Sequence, residues 1–465
     1  MCGEGGKSGA VVPEMITHTA DSSRPEGGTV RVAPAPALPA EQSEARNGQR
    51  ETLRFAQGRL GNGQRISVAF FTNELARGGA EEHMLTLLRG LDRLRFRLFL
   101  VCPKEMADAL GVDLPSDVTP VRINLRSPKQ LRQARRLASF LRREQIDIVH
   151  SHLFYGSLFA SPIAKACGVP VVLETPHLSE PWRQGWKSYF IVDRLVGRCV
   201  DYYIAVSHAN AQYLVSSKGL PLRKVKVIQN GCDLGRFEAI GQDHTARESE
   251  RDLRNELGFG RNDPILVVIG RLEPQKGHSV MLQALAVLRP QFPRVRLVCV
   301  GEGALRESLK MQAAALQLVD AVYFVGYQRD VPDWLRLADV VVLPSLFEGL
   351  PLVTIEALAA RRPLVATAVD GTPEVVVDGH TGLTVPPADP QALADAIACL
   401  LRDPALASSL ADRGHAWVSQ HFSQERQIRQ TEQLYLEAFS GRERSGSPLP
   451  KSRALARDQQ SGSNF

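Results

Sequence analysis

Strand-like and helix-like stretches alternate along this chain in two separate series, and few folds accept such a pattern. The first series runs Ile66–Phe71, Phe96–Val101, Ile146–His150, Val169–Glu174, Tyr203–Val206 and Val225–Gln229. These are short apolar runs of the kind that form buried strands. Helix-period stretches lie between most of them, beginning with the one that follows Gly78-Gly79-Ala80-Glu81-Glu82 and continues through Leu91. The second series reads Ile265–Ile269, Val295–Val300, Ala321–Val325, Val340–Leu343 and Pro363–Ala366, with helices over Ser279–Leu288, Leu305–Leu316 and Pro390–Leu401. Apolar strands alternating with helices predict α/β architecture, with parallel sheets covered on both faces. Between the series, residues 236–262 are polar and charged, with a short helical piece around Ser249–Leu257. Two Rossmann-like units of similar size, so joined, leave a cleft between the carboxyl ends of their strands.

The bulk numbers suit this division. A length of 465 residues exceeds one ordinary core, and 44% apolar with 23% charged residues is the balance of a soluble globular protein. A formal charge of +6 permits an anionic substrate or surface without requiring one. The seven cysteines are scattered with no Cys-x-x-Cys pair, which favours a reducing compartment, the cytoplasm. No run approaches a membrane span, and no hydrophobic leader precedes Cys2, so a lipoprotein role for that cysteine is not expected. Residues 1–63 and 441–465 read as disordered tails.

One loop carries most of the chemistry. The buried strand ending at Leu343-Pro344 is followed by Ser345-Leu346-Phe347-Glu348-Gly349-Leu350-Pro351, after which Leu352 to Leu358 continues as a helix. Glu348 therefore lies in a strand-to-helix loop and Glu356 just inside the helix. Free N–H groups at the helix start, near Gly349, Leu350 and Leu352, make an anion site. Amides for phosphate and two carboxylates for sugar hydroxyls suit a nucleotide-sugar diphosphate. Gly270-Arg271-Leu272-Glu273-Pro274-Gln275-Lys276-Gly277 follows the first strand of the second unit and brings Arg271 and Lys276 opposite that helix. Two cations and a helix dipole neutralise a departing diphosphate without a metal.

The second half resembles the donor domain of family-4 retaining glycosyltransferases of the GT-B fold. The resemblance rests on Gly-Arg-Leu…Lys-Gly at 270–277, Val-Gly-Glu-Gly-Ala-Leu-Arg at 300–306, Phe-Val-Gly-Tyr at 324–327, Glu-x7-Glu at 348–356, Asp-Gly-Thr-Pro-Glu at 370–374 and His-Thr-Gly-Leu at 380–383. The first half is similar to the acceptor domain more loosely, through Gly-Gly-Ala-Glu at 78–81, Asp-Ile-Val-His-Ser-His at 147–152, Thr-Pro-His at 175–177, Val-Ser-His-Ala at 206–209 and Asn-Gly-Cys-Asp at 230–233. The resemblance implies an acceptor-side domain over 64–235, a linker over 236–262, a donor domain over 263–419 and a helix over 420–440 returning to the first domain. It implies that Arg271 and Lys276 hold the diphosphate, that Glu348 bonds the transferred sugar and Glu356 the ribose, and that the main chain near Tyr327 and Gln328 meets the base. Gly78 and Gly79 would let backbone approach the donor closely. His177 would stand beside the reacting sugar, holding the donor and stabilising positive charge near the anomeric carbon.

The function that follows is metal-independent, retaining transfer of a sugar from a nucleotide diphosphate, UDP first, to a hydroxyl of a glycan or lipid-linked acceptor in surface polysaccharide or glycolipid synthesis. Epimerisation or phosphorolysis on the same fold, or a silent scaffold, are the alternatives. Gly301-x-Gly303-x-x-Arg306 lacks the third glycine of a dinucleotide fingerprint and follows the wrong strand. His150, His152, His177 and His208 could be grouped as a zinc cluster, but strand-end histidines are more commonly hydrogen-bonded scaffold, and no Asp-x-Asp pair occurs. No metal or other cofactor is expected. From Arg122 to Arg143 there are eight basic residues and no acidic one, with Leu131, Ala134, Leu137, Ala138 and Leu141 at helical spacing. This helix either packs with a solvated face or docks on anionic lipid at the inner face of the membrane. Trp182, Trp186, Lys187 and Tyr189 could join that lip or form an acceptor pocket. No nucleic-acid-binding module is visible.

Overall fold

The computed structural model describes residues 64–75, 77–127, 129–178, 187–238 and 253–444, the side chains of 154–157, 187–191, 238 and 442–444 excepted. The expectations for residues 1–63, for 445 onward, for most of the linker and for Trp182 and Trp186 lie outside these residues, as do those for the side chains of Lys187 and Tyr189.

Two parallel sheets organise the chain. The first holds β1 (Ile66–Phe71), β2 (Phe96–Cys102), β3 (Pro120–Arg122), β4 (Ile148–His152), β5 (Val171–Thr175), β6 (Tyr202–Ala205) and β7 (Val225–Val227) in the order β3-β2-β1-β4-β5-β6-β7. The second holds β8 (Ile265–Ile269), β9 (Arg296–Val300), β10 (Val322–Gly326), β11 (Val340–Leu343), β12 (Leu364–Thr367) and β13 (Leu383–Val385) in the order β10-β9-β8-β11-β12-β13. All registered pairs in both sheets are parallel. The central strands read as unbroken apolar runs because both faces are covered: all six residues of β1 and all four of β11 are buried. β3 and β13 have three residues each at sheet edges, too short to leave an apolar run, and the sequence reading has no counterpart for them.

The helices that matter for the site are α1 (Gly79–Gly90), α2 (Leu131–Arg143), α3 (His208–Ser216), α4 (His278–Leu288), α5 (Leu352–Ala359), α6 (Pro404–His421) and α7 (Gln424–Arg444). α1 covers the first sheet with Met84, Leu85, Leu87 and Leu88, all fully buried. α2 begins at Leu131 rather than near Arg122. It buries Leu137, Phe140 and Leu141, while Leu131 itself stays 63% exposed.

α7 follows the second sheet in sequence but joins the core of the first. Leu434, Tyr435, Leu436, Ala438 and Phe439 pack with β1, β2 and α1. Ile428 lies across Gly90, where a Cβ would stand 2.1 Å from its Cδ1, so its side chain fills the space that one on residue 90 would take. The fully buried Tyr435 hydroxyl meets His150 Nδ1 at 2.6 Å. Tyr435→Phe keeps the ring and leaves that nitrogen unpaired, which costs about 1–3 kcal/mol. A fall in the urea midpoint of unfolding measures this. An unchanged midpoint would mean that the hydroxyl does not help tie α7 to the first sheet.

Candidate active site

In each sheet, chain order reverses direction across one pair of strands, β1 with β4 and β8 with β11. Loops leaving such a pair turn away on opposite faces, which opens a crevice at the strand carboxyl ends. The two crevices supply the residues described here. From the first sheet come Gly78 and Gly79 after β1, His152 at the end of β4, His177 after β5 and Asn230 after β7. From the second come Arg271 and Lys276 after β8, Tyr327 and Gln328 after β10, Glu348 and Gly349 after β11, and Glu374 after β12.

Glu348 is 3% exposed, and a charge so buried needs partners. Its Oε1 accepts from Lys276 Nζ at 2.5 Å and from Ser345 Oγ at 2.6 Å, and its backbone N–H donates to Asp370 Oδ2 at 2.7 Å. The neighbouring loop fixes this geometry. Gly277 caps α4 at φ 64°, and a Cβ there would fall 1.9 Å from the Pro344 carbonyl oxygen. Only glycine lets the two loops touch so closely. Gln275 then locks them, with its Nε2 donating to Phe347 O at 3.0 Å and its carbonyl accepting from Leu346 N at 2.8 Å.

Arg271 pairs with Glu273 at 3.2 Å and leans over the cleft, its Nε 3.8 Å from where a Cβ on Gly78 would stand. The guanidinium thus faces the N-terminus of α1, while nothing lies within 4 Å of a Cβ on Gly79. Beside it, Glu81 is buried with Oε1 unpartnered among the described residues. Burial pushes its carboxyl up to about 7; Glu74 adds to the rise and Arg271 opposes it. Glu356 lies one turn inside α5, and burial likewise raises its carboxyl to about 7, with Glu82 from the opposite domain adding and Arg236 opposing. Tyr327 is 54% exposed, and Gln328 Nε2 donates to Val325 O at 2.9 Å.

The domains meet directly at the site. A Cβ on Gly349 would lie 1.8 Å from the His177 carbonyl oxygen, and one on Gly371 would lie 2.1 Å from Gly349 O. Asn230 Nδ2 donates to Leu350 O at 2.9 Å. Glu374 reaches across to cap α3: its carboxylate accepts from His208 N (3.1 Å), Ala209 N (3.0 Å) and Gln229 Nε2 (2.8 Å). At the other lip Asp113 accepts from Arg77 at 2.5 Å and from Arg329 of the second domain at 2.6 Å.

Four histidines stack beneath these contacts. His150 is satisfied on both nitrogens, by Tyr435 at 2.6 Å and Thr175 Oγ1 at 2.7 Å, so it is scaffold. His152 Nδ1 lies 3.0 Å from His177 Nε2, and His83 Nδ1 lies 2.8 Å from Asn230 Oδ1. Burial holds His83 at about 4 and, with neighbouring imidazoles adding, keeps His152 and His177 well below the ordinary range. The group therefore differs from the one suggested by sequence. His83 belongs to it, whereas His208 is exposed at the start of α3 and its backbone N–H is what bonds across the cleft. His83, Glu81, Arg77, Asp113, Asn230 and Glu374 received no role from sequence, although four of them lie in or beside the Gly-Gly-Ala-Glu, Asn-Gly-Cys-Asp and Asp-Gly-Thr-Pro-Glu stretches.

Comparison with known proteins agrees with the fold. Residues 249–417 match the family described as glycosyl transferases group 1, and residues 77–236 match glycosyltransferase family 4. EpsD of Bacillus subtilis, a glycosyltransferase by name, is 29% identical over 327 residues, covering 68% of this chain and 83% of its own. Glycogen synthase of Mycobacterium tuberculosis is 31% identical over 313 residues, covering 65% of this chain and 72% of its own. Among solved structures, Anabaena HepE in complex with UDP-glucose superposes with a TM-score of 0.70 at 20% identity, over 80% of this chain and 99% of that one, a likeness of fold. The chain belongs to the group 1, family-4 class of glycosyltransferases, with the two-domain GT-B architecture.

Gly349→Ala tests the domain contact. The backbone there tolerates alanine, but the methyl group collides with His177 unless the domains part. Small-angle scattering will show a larger radius of gyration than the parent at unchanged secondary structure. An unchanged scattering curve would mean that this approach is absent in solution.

Proposed function

We propose that this chain moves a sugar from a nucleotide diphosphate donor, a UDP-sugar first, to a hydroxyl of a glycan or lipid-linked acceptor, with retention at the anomeric carbon and without a catalytic metal. The observation that carries this reading is the buried Glu348 carboxylate paired with the half-buried Lys276, on whose loop Arg271 leans toward Gly78, in a cleft with helix N-termini on both sides. As the bond from anomeric carbon to diphosphate breaks, negative charge grows on the phosphate oxygens. Arg271, Lys276 and the amides at the starts of α1 and α5 are fixed dipoles and charges that stabilise it without reorganising. Glu348, already bonded to Lys276 and Ser345, accepts from hydroxyls of the sugar. Glu356 accepts from the ribose, and the backbone near Tyr327 and Gln328 meets the base. His177 stands beside the anomeric carbon as the holder of the donor.

The complex of HepE with UDP-glucose supports uridine as the base, and the name glycogen synthase supports a glycan as acceptor. Surface polysaccharide or glycolipid assembly at the inner membrane face is the setting we assign. No helix among the described residues is long and apolar enough to cross a membrane. The arginine-rich outer face of α2, with Leu131 exposed at its start, would supply peripheral contact with anionic lipid, each cation adding roughly 1 kcal/mol.

Calorimetric titration of metal-free protein with UDP, GDP, ADP and dTDP tests the donor. UDP will bind, and Arg271→Ala will weaken it about 10- to 100-fold, the loss of a charged hydrogen bond. Failure of all four to bind would remove the transferase reading in favour of a scaffold. In turnover assays Glu348→Gln will cost about 2–4 kcal/mol of transition-state stabilisation, roughly 30- to 1,000-fold in rate. Full activity in that variant would displace Glu348 from the site.

Two carboxyls raised to about 7 give opposite pH signatures. Above 7 Glu356 ionises and accepts from both ribose hydroxyls, whereas Glu81 ionises beside the diphosphate and repels it. Between pH 6 and 8, UDP-glucose affinity will therefore rise in Glu81→Gln and fall in Glu356→Gln. Parallel slopes in the two variants would contradict the placement of base, ribose and diphosphate.

A further inference from the structure

We propose that His83, His152 and His177 form a binding site for one divalent transition-metal ion of borderline softness, Zn2+ in particular. One nitrogen from each ring lies within 4.8 Å of the other two, and all three residues are buried. The rings are in mutual contact, with centroids 4.8 Å apart for His83 and His177, 5.6 Å for His83 and His152, and 5.3 Å for His152 and His177. Zinc–nitrogen bonds of 2.0–2.1 Å in a tetrahedron set ligand nitrogens roughly 3.3 Å apart. His152 Nδ1 and His177 Nε2, at 3.0 Å, are already near that spacing, and His83 would close the rest.

Unsatisfied atoms point the same way. His83 Nε2 is buried without a partner among the described residues, in a side chain 2% exposed, whereas the unpartnered nitrogen of His152 is Nε2, not the Nδ1 that faces His177. Such atoms are rare in a folded chain because each costs about 1–3 kcal/mol. Orientation is built in as well. Asn230 spends its Nδ2 on Leu350 O, which turns Oδ1 toward His83 Nδ1. A proton on Nδ1 satisfies that oxygen and puts the lone pair on Nε2, the form that binds metal. Gln427, fixed by Gly231 N at its Oε1, brings its amide nitrogen within 2.9 Å of the same Nδ1, where it can only donate; it serves the opposite tautomer, and an ion at Nε2 selects the one from which Asn230 accepts. Imidazoles without a carboxylate suit Zn2+ over Mg2+ or Ca2+.

Such an ion is no diphosphate metal. It sits on the first-domain side and occupies His177. Where His177 holds the donor, as proposed above, the ion competes with the sugar and acts as an inhibitor. Binding itself does not depend on that reading.

The test uses full-length protein, stripped of metal and without nucleotide. Calorimetry with ZnCl2 and visible absorption with CoCl2 should give an equivalent of tight binding and the intense bands of four-coordinate Co2+, which Zn2+ then displaces. His83→Gln and His152→Gln will each abolish the bands and weaken this equivalent at least tenfold. Asn230→Ala, which removes only the orienting partner, will weaken it about 10- to 100-fold. His208→Gln, outside the cluster, will leave it unchanged. Circular dichroism confirms the fold of each variant, and His177→Gln replaces any that does not fold. Absence of saturable binding overturns the proposal, as does tight binding that survives intact in both His83→Gln and His152→Gln.

Discussion

The contact between Gly349 and the His177 carbonyl is the constraint on which the site depends. At that point the loop after β11 and the loop after β5 are separated by less than the width of a methyl group. One loop carries Glu348 and the start of α5, and the other carries His177, so a single backbone approach sets how far these residues stand from each other. Gly371 repeats the device one layer further out, against Gly349 and Ser207. Glycine here serves close approach between domains, and it needs no unusual backbone angle to do so. Polar contacts then fix the angle at which the domains meet: Glu374 on the helix start at His208, Asn230 on Leu350, Arg329 on Asp113.

Burial is met in two ways at the site. Lys276 and Ser345 supply Glu348 with partners. Elsewhere burial favours the neutral form, as for His83, His152 and His177 of the first domain and His278 of the second. Desolvation disfavours the charged form wherever no partner compensates it. Glu81 and Glu356, each held near 7, are two carboxyls at the site whose charge ordinary pH changes can move.

Much of this was legible in the sequence because its signals are local. β11, the loop at Glu348 and α5 follow one another within twenty residues, and each leaves its own mark: an apolar run, a Gly-Leu-Pro break, then helical spacing. The Arg271–Gly277 loop was equally readable from its place after β8. What escaped was long-range. The three-residue edge strands β3 and β13 carry no periodicity. His83 lies mid-helix in α1, where its neighbours in sequence mark it as one more buried position. Only the fold brings it to His152 and His177, and only the fold separates His208 from them. Glu374 stood within a recognised motif, but its role as cap belongs to a helix that begins 166 positions away.

The two chain crossings between the domains run side by side, which bears on how the cleft can open. Cys232 and Ser423 form an isolated parallel bridge, with Cys232 N donating to Phe422 O at 3.0 Å and Gln424 N to Cys232 O at 3.0 Å. Gly231 lies so close that a Cβ would stand 2.2 Å from Ser423 O. α7, which begins just past this point, is fastened to the first domain through Tyr435, Glu432 and Gln427. It therefore belongs with the first sheet although it follows the second in sequence. Opening must then break the polar contacts at Glu374, Asn230 and Arg329, each worth about 1–3 kcal/mol or less in a wet lip, while leaving the apolar cores of both sheets intact. Polar bonds of this size exchange for water at little net cost, so the contacts between the two halves can be remade as readily as they are broken.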